Sequence, residues 1–154
     1  MDDWSIVPVR LSTATEQACC ILALIASRNL SPITNAELSE RMAVSPSYLA
    51  KITRRLVVAE LISSEPGAKG GFVLARPMRL ITLLMVVEAI EGDEPFFQPA
   101  GIVERVFKNR RRAVEKGMSV VQEKMHEAEL AWRRSLSSVT IQEIIDDALK
   151  GEML

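Results

Sequence analysis

The sequence predicts a mainly α-helical fold with a small β-hairpin wing, a winged helix-turn-helix followed by a long C-terminal dimerisation helix. Three observations lead there. Between Ser45 and Phe72 a helical apolar stripe runs directly into two strand-like segments joined by a glycine-rich turn. A short capped helix ends just before that stripe, at the spacing of a helix-turn-helix. Further on, apolar residues recur near 3.5-residue spacing from Ile102 to about Leu136, more than the chain itself can cover.

Bulk properties set the frame. At 154 residues there is room for one core, or for a small domain plus an oligomerisation arm. Hydrophobic residues make up 48% of the chain, yet the apolar runs are far shorter than a membrane span, and MDDWSIVPVR does not read as a secretory signal. Two adjacent cysteines cannot make a disulfide framework, so the expectation is a soluble protein of the reducing cytoplasm, without membrane contact. The net charge of −1 does not advertise a polyanion partner, but the charge is uneven. From Ile33 to Arg79 there are seven Lys/Arg against four Glu, while from Glu123 to Asp147 there are six acids against three Lys/Arg. Such asymmetry would orient the molecule on a phosphate backbone.

Residues 1–9 lack periodicity and are expected to form an N-terminal arm, with Trp4 packing on the body of a dimer rather than touching a ligand. Thr13 and Glu16 offer a capping box for a first helix. Its residues Ala18, Ile21, Leu22 and Ile25 form a stripe, but Cys19, Cys20, Ala23 and Leu24 leave almost no polar face. A helix apolar all round is covered on more than one side, here in part by a second subunit. Thr34 and Glu37 make a second box, opening a helix to about Met42 with Leu38 and Met42 inward.

Ser45 then caps, and Pro46 starts, a helix whose Leu49, Ile52, Leu56 and Ala59 face inward. Tyr48, Lys51, Arg54 and Arg55 fall away from that stripe. Strands are expected at Ile62–Glu65 and Phe72–Ala75, around the turn Pro66–Gly71. Thr82 caps an apolar helix that stops at Gly92, closing a domain over 10–92. Pro95, Pro99 and Gly101 mark 93–101 as a linker. In the final segment, 102–154, Val103, Phe107, Val114, Met118, Val121, Met125, Ala128 and Trp132 define the dimer seam, with Arg110 interrupting one apolar step. Thr140 and Glu143 form a third capping box before a last helix to about Leu149.

The segments RLSTATEQACCILALIA, SPSYLAKITRRLVVAELISSEPGAKGGFVLARP and ITLLMVVEAIEG together resemble the Rrf-two family of bacterial transcription regulators, IscR-, NsrR- and CymR-like. The match runs from about Arg10 to Gly92 and resumes at SLSSVTIQEI. The resemblance implies a homodimer on a pseudo-palindromic double-stranded DNA operator, with the recognition helix in the major groove and the wing at the minor groove. Carried onto this chain, Ser45, Ser47, Tyr48 and Lys51 would meet bases and phosphates, and Lys69 in the Gly67–Gly71 wing would meet the narrow groove. Arg54 and Arg55 would be backbone anchors or, in part, helix-packing residues. The chemistry agrees, because N-terminal residues of a recognition helix reach base edges and hydroxyl or ammonium groups donate to base acceptors. The Gly67, Gly70 and Gly71 backbone could lie close to a sugar-phosphate wall with no side chain between. Pro66 departs from the family, whose wings often carry an arginine there.

The resemblance also implies where a sensor would sit. Cluster-binding members place three cysteines after the Glu-Gly that corresponds to Glu91-Gly92, whereas Asp93 to Arg112 holds no cysteine and no histidine. Thiolates hold such clusters, so a cluster-free regulator without cofactor is expected, sensing a small ligand, a thiol-redox event or a protein partner. Cys19 and Cys20 point about 100° apart on a helix and read as small hydrophobes, the alternative being an intersubunit disulfide. His126, among Glu123, Glu127 and Glu129 on what reads as a solvated face, has no metal-binding company. Phe96, Phe97, Phe107, Met118 and Met125 suit a hinge and dimer core, or else a small-molecule pocket. Lys108, Arg110, Arg111 and Arg112 suit plain surface or a DNA-backbone contact. No nucleophile–base pair or phosphate loop can be assembled, so the chain is not expected to be an enzyme. The alternative reading is a winged-helix protein-interaction module that no longer reads DNA, kept alive by Pro66 and the negative net charge.

Overall fold

A computed structural model describes residues 11–150. Helices α1 (Thr13–Ala26), α2 (Asn35–Met42) and α3 (Pro46–Val58) are followed by an antiparallel hairpin, β1 (Ile62–Glu65) and β2 (Gly71–Leu74). After a single turn of 3-10 helix come α4 (Leu83–Glu91), α5 (Ile102–Val106), α6 (Arg111–Ser137) and α7 (Ile141–Leu149). This mainly helical chain with a two-stranded wing is the architecture expected, and among the described residues no helix is long and apolar enough to cross a membrane. Residues 1–10, with Trp4 and the expected N-terminal arm, and residues 151–154 lie outside the described residues.

The core is built by the stripes read from the sequence. Ala18, Ile21, Leu22 and Ile25 of α1 meet Leu38 of α2, Leu49, Ile52 and Leu56 of α3, Leu61 and Ile62 at the wing base, and Val86 and Ile90 of α4. Removing a Leu or Ile side chain of this kind from water contributes about 1.5–3 kcal/mol. Ile33 adds a third edge to the wing, exchanging backbone hydrogen bonds with Phe72 (3.1 and 2.8 Å) and fixing the hairpin to the loop before α2.

Helix starts show which local signals prevail. The hydroxyls of Thr34, Ser45, Thr82 and Thr140 each accept a hydrogen bond from the backbone N–H three residues on. Only Thr140–Glu143 forms the full reciprocal box. Glu37 turns instead to Arg28 and Arg41, so the Thr34 box is half-made. The Thr13–Glu16 box is not formed: α1 starts after Ser12, whose backbone N–H and hydroxyl donate to Glu91 Oε1 at 2.7 and 2.6 Å. Thr15 donates to the same oxygen at 2.7 Å, so a distant carboxylate holds the start of α1.

Two further expectations need correction. The helix expected from Ile102 breaks after α5, where Phe107 (φ −108, ψ 48) and Arg110 (φ −126, ψ 36) leave helical geometry around one 3-10 turn. Lys108, Arg110, Arg111 and Arg112 crowd like charges there, at the end of a helix where cations are disfavoured. Val103 therefore lies on a short separate helix and Phe107 in the break. The last helix, grouped in the sequence with the dimer arm, is pinned to the core. Thr82 and Thr140 bridge, with Leu83 N–H donating to Val139 and Ile141 N–H to Ile81 (3.0 and 2.8 Å), and Ile141 is buried.

Candidate nucleic-acid interface

Helix α3 is anchored on one face and open on the other. Leu49, Ile52, Thr53 and Leu56 are buried, with the Thr53 hydroxyl donating to its own helix at Leu49 O. On the opposite side Ser45, Ser47, Lys51 and Arg54 are exposed and Tyr48 is 41% exposed. The turn that aims this helix is braced from both sides. Ala43 closes α2 in left-handed geometry (φ 52), Ser39 Oγ donates to Val44 O at 2.5 Å, and Asn35 Nδ2 donates to Pro46 O at 3.1 Å. The Ser45 hydroxyl accepts from Tyr48 N–H and still has a proton to donate.

Arg55 resolves toward packing: one guanidinium N–H donates to the Ile90 carbonyl, tying α3 to the end of α4. Arg54 makes no ion pair among the described residues.

At the wing, Gly67 turns the chain at φ +102 and its carbonyl accepts from Gly70 N–H at 3.0 Å, leaving Lys69 exposed at the tip. Two of the glycines are also needed inside the fold. A Cβ on Gly70 would come within 2.2 Å of Glu65 O, and one on Gly71 within 2.6 Å of Ile33 O. Gly70 is required by the hairpin's own backbone and Gly71 by the Ile33 strand edge bridged to it. Arg76, missed in the sequence, braces the wing base by donating from Nε to Glu60 O at 2.9 Å, where Glu60 takes a left-handed turn (φ 56).

Along the expected dimer seam, Val114 is buried and Val103 and Met118 are half-buried, while Phe107, Val121 and Met125 are exposed. Trp132 packs edge-on against Phe96 of the linker, centroids 4.9 Å apart. Glu129 does not sit on a solvated face: it is 8% exposed, accepting from Phe96 N–H at 3.3 Å and Arg133 Nε at 2.9 Å. Arg133 hydrogen-bonding, helped by that backbone N–H, keeps its carboxyl below the usual range against the upward pull of burial. Arg133 also pairs with Glu88 of α4 and donates to the Asp93 carbonyl, joining helix, linker and arm. The Glu129–Arg133 spacing is visible in the sequence; Glu88, forty-five positions away, gives no local signal.

Cys19 is half-buried and Cys20, against the sequence reading, is exposed. Burial, then the Cys20 and Glu16 charges, push the Cys19 thiol up, away from the reactive thiolate.

Comparison with known proteins adds independent findings. A family model named Rrf2 and described as an iron-dependent transcriptional regulator matches residues 11–147. YwgB of Bacillus subtilis, named as an HTH-type transcriptional regulator, is 34% identical over 139 residues, covering 90% of this chain and 85% of its own. YffB of Lactococcus lactis, named likewise, is 32% identical over 143 residues (90% and 88%). The fold is similar to that of T. potens IscR (TM-score 0.64, 23% identity, 97% and 96% covered) and of CymR, the global cysteine regulator of B. subtilis (TM-score 0.62, 20%, 89% and 96%). Among the described residues no donor set matches the iron in the family description. The chain's two cysteines are neighbours on α1, its one histidine is exposed, and among the described residues no three His, Cys, Asp or Glu side chains converge as metal ligands.

Proposed function

Given that the chain belongs to the Rrf2 family of transcriptional regulators, we propose that it is a sequence-specific repressor that binds a pseudo-palindromic operator as a homodimer without an iron–sulfur cluster. The family and these relatives are transcriptional regulators rather than enzymes. The observation that carries the reading is the two-sided α3: a buried stripe fixes the helix while Ser47, Tyr48 and Lys51 project from its first turns. A helix so presented can enter the major groove by its N-terminal end, where hydroxyl and ammonium donors reach base acceptors. Arg54 supplies a phosphate contact and Lys69 the wing contact, while Arg55 acts by holding α3 on α4. Two such helices, one per protomer, would meet half-sites about one helical turn apart. The effector is a small molecule or a protein partner, and the protein works in the cytoplasm.

The test is a salt titration of binding to a duplex selected from random DNA. Phosphate-driven affinity falls steeply with salt. Lys51→Ala should reduce the salt slope by about one unit, and Tyr48→Ala should cost about 1–3 kcal/mol of preference for the selected sequence. Wild-type behaviour in both variants would remove the reading helix from the proposal and leave a protein-interaction module.

A further inference from the structure

Beside the recognition helix lies a cleft that shares Lys51 and Arg54 with its DNA-reading side. It has a volume of about 700 Å³, within the range of small-molecule pockets, and runs between α3 and α4. One wall carries Lys51, Arg54 and Arg55; the floor is apolar, with Leu61, Met85 and Ala89, and Val58 stands exposed at the rim. Neither Lys51 nor Arg54 has an ion-pair partner among the described residues. Two acids line the other side, Glu88 and Asp93. Glu88 is already met by Arg133, which leaves Asp93 alone against the cations of α3, so the cleft is positive on balance.

We propose that this cleft binds an organic anion with an apolar body, and that its occupancy withdraws Lys51 and Arg54 from DNA. An inorganic anion would leave the apolar floor in water, and a neutral apolar molecule would leave the cations unanswered; an acid with a hydrocarbon or aromatic body satisfies both. Such a ligand needs no conformational relay. It competes for the same cations that a phosphate backbone would neutralise, so binding of ligand and of DNA are mutually exclusive in charge even where they do not overlap in space. The second effect rests on the regulator reading above; the binding site itself does not.

The site is tested with full-length protein and anilinonaphthalene sulfonate, a fluorescent organic anion. Saturable binding is expected. Val58→Glu, at an exposed position on the rim, should weaken it about tenfold, the effect of one opposed charge, and Val58→Lys should strengthen it. Ala89→Trp, on α4, should fill the floor and abolish dye binding while leaving DNA binding as in wild type. Decanoate should then release wild-type protein from its selected duplex and leave Ala89→Trp bound, whereas decanol, with the same chain and no charge, should release neither. Dye binding indifferent to both charges at position 58 and to Ala89→Trp overturns the site. So does its absence, as when a second copy closes the cleft. A wild type that takes up the dye by these rules but binds no DNA keeps the site and sinks the regulator reading instead.

Discussion

Leu49, Ile52 and Leu56 of α3 are sealed inside the chain, whereas Val120, Val121, Met125 and Leu130 of α6 lie open to solvent. Both helices are amphipathic, so the pattern that writes a helix does not decide whether its apolar face is covered. For α3 the covering residues come from α1, α4 and the wing base. The twenty-seven residues of α6 bury only Val114 and Glu129, and the helix meets the rest of the chain through Arg133 and its acids, Trp132 on Phe96 and its contact with α5. One region therefore folds on its own contacts, and the other presents a seam. Under the proposed function, a second copy covers it.

The largest effect should come from breaking that seam. Val121→Asp with Met125→Asp, at positions 39% and 45% exposed, should leave the winged domain folded and convert dimer to monomer in sedimentation. With only one half-site engaged at a time, affinity for a palindromic duplex should then fall about 10²–10⁴-fold. A doubly substituted protein that stays dimeric would place the interface elsewhere.

Leu56→Ala attacks the other side of the comparison. Truncating a fully buried leucine should cost about 2–5 kcal/mol in urea unfolding, independent of protein concentration. Stability changes from the seam should instead scale with concentration, as linkage to association requires.

The same contrast explains what could be read from the sequence. Stripes and caps are local, so Ser45, Thr82 and Thr140 and the inward faces of α1, α3 and α4 were legible at once. The exposed side chains of α3 were legible as whatever its stripe left outside. Long-range competition was not. Glu16 sits at the right spacing for a box with Thr13, yet Glu91, seventy-nine positions from Ser12, collects the donors instead. Glu129 looked like one more surface acid because its partner amide, on Phe96, belongs to a linker with no periodicity to announce it. The break at Phe107 left only one trace, Arg110 in place of one apolar step, because the spacing resumes at Val114 and the cluster of cations there carries no period.

Arg133→Met should have a smaller and more local effect. It removes the ties to Glu88, Glu129 and the Asp93 carbonyl while keeping most of the side-chain bulk. Hydrogen exchange at the Phe96 amide and through residues 93–101 should quicken by about tenfold, the effect of removing one charge-assisted hydrogen bond, with exchange in α1 and α3 unchanged. Equal acceleration in both regions would mean that the two are one cooperative unit.

The smallest effect expected is in acid. Burial by itself would raise the Glu91 carboxyl, but hydrogen bonds from Ser12 and Thr15, aided by the Arg55 charge, outweigh it and hold the group below the usual carboxylate range. A depressed folded value means that the native state prefers the ionised form. The stability this contributes is therefore fully present above the unfolded-chain value, about 4.3, and is lost as pH falls from there through the lower folded value. Glu91→Gln should be less stable than wild type at neutral pH, and its melting temperature should fall less steeply below about pH 4.3, so that the two curves converge in acid. The acid sensitivity left in the variant belongs in part to Glu129 and Glu143, both also depressed, the first by Arg133 and the second by the Thr140 cap. In a Trp4→Phe background, Trp132 fluorescence reports the arm and far-ultraviolet dichroism the whole chain, so a Glu91→Gln change confined to the dichroism keeps the two regions distinct. Parallel acid limbs for wild type and variant would mean that the latch between Ser12 and the end of α4 does not govern how the winged domain closes.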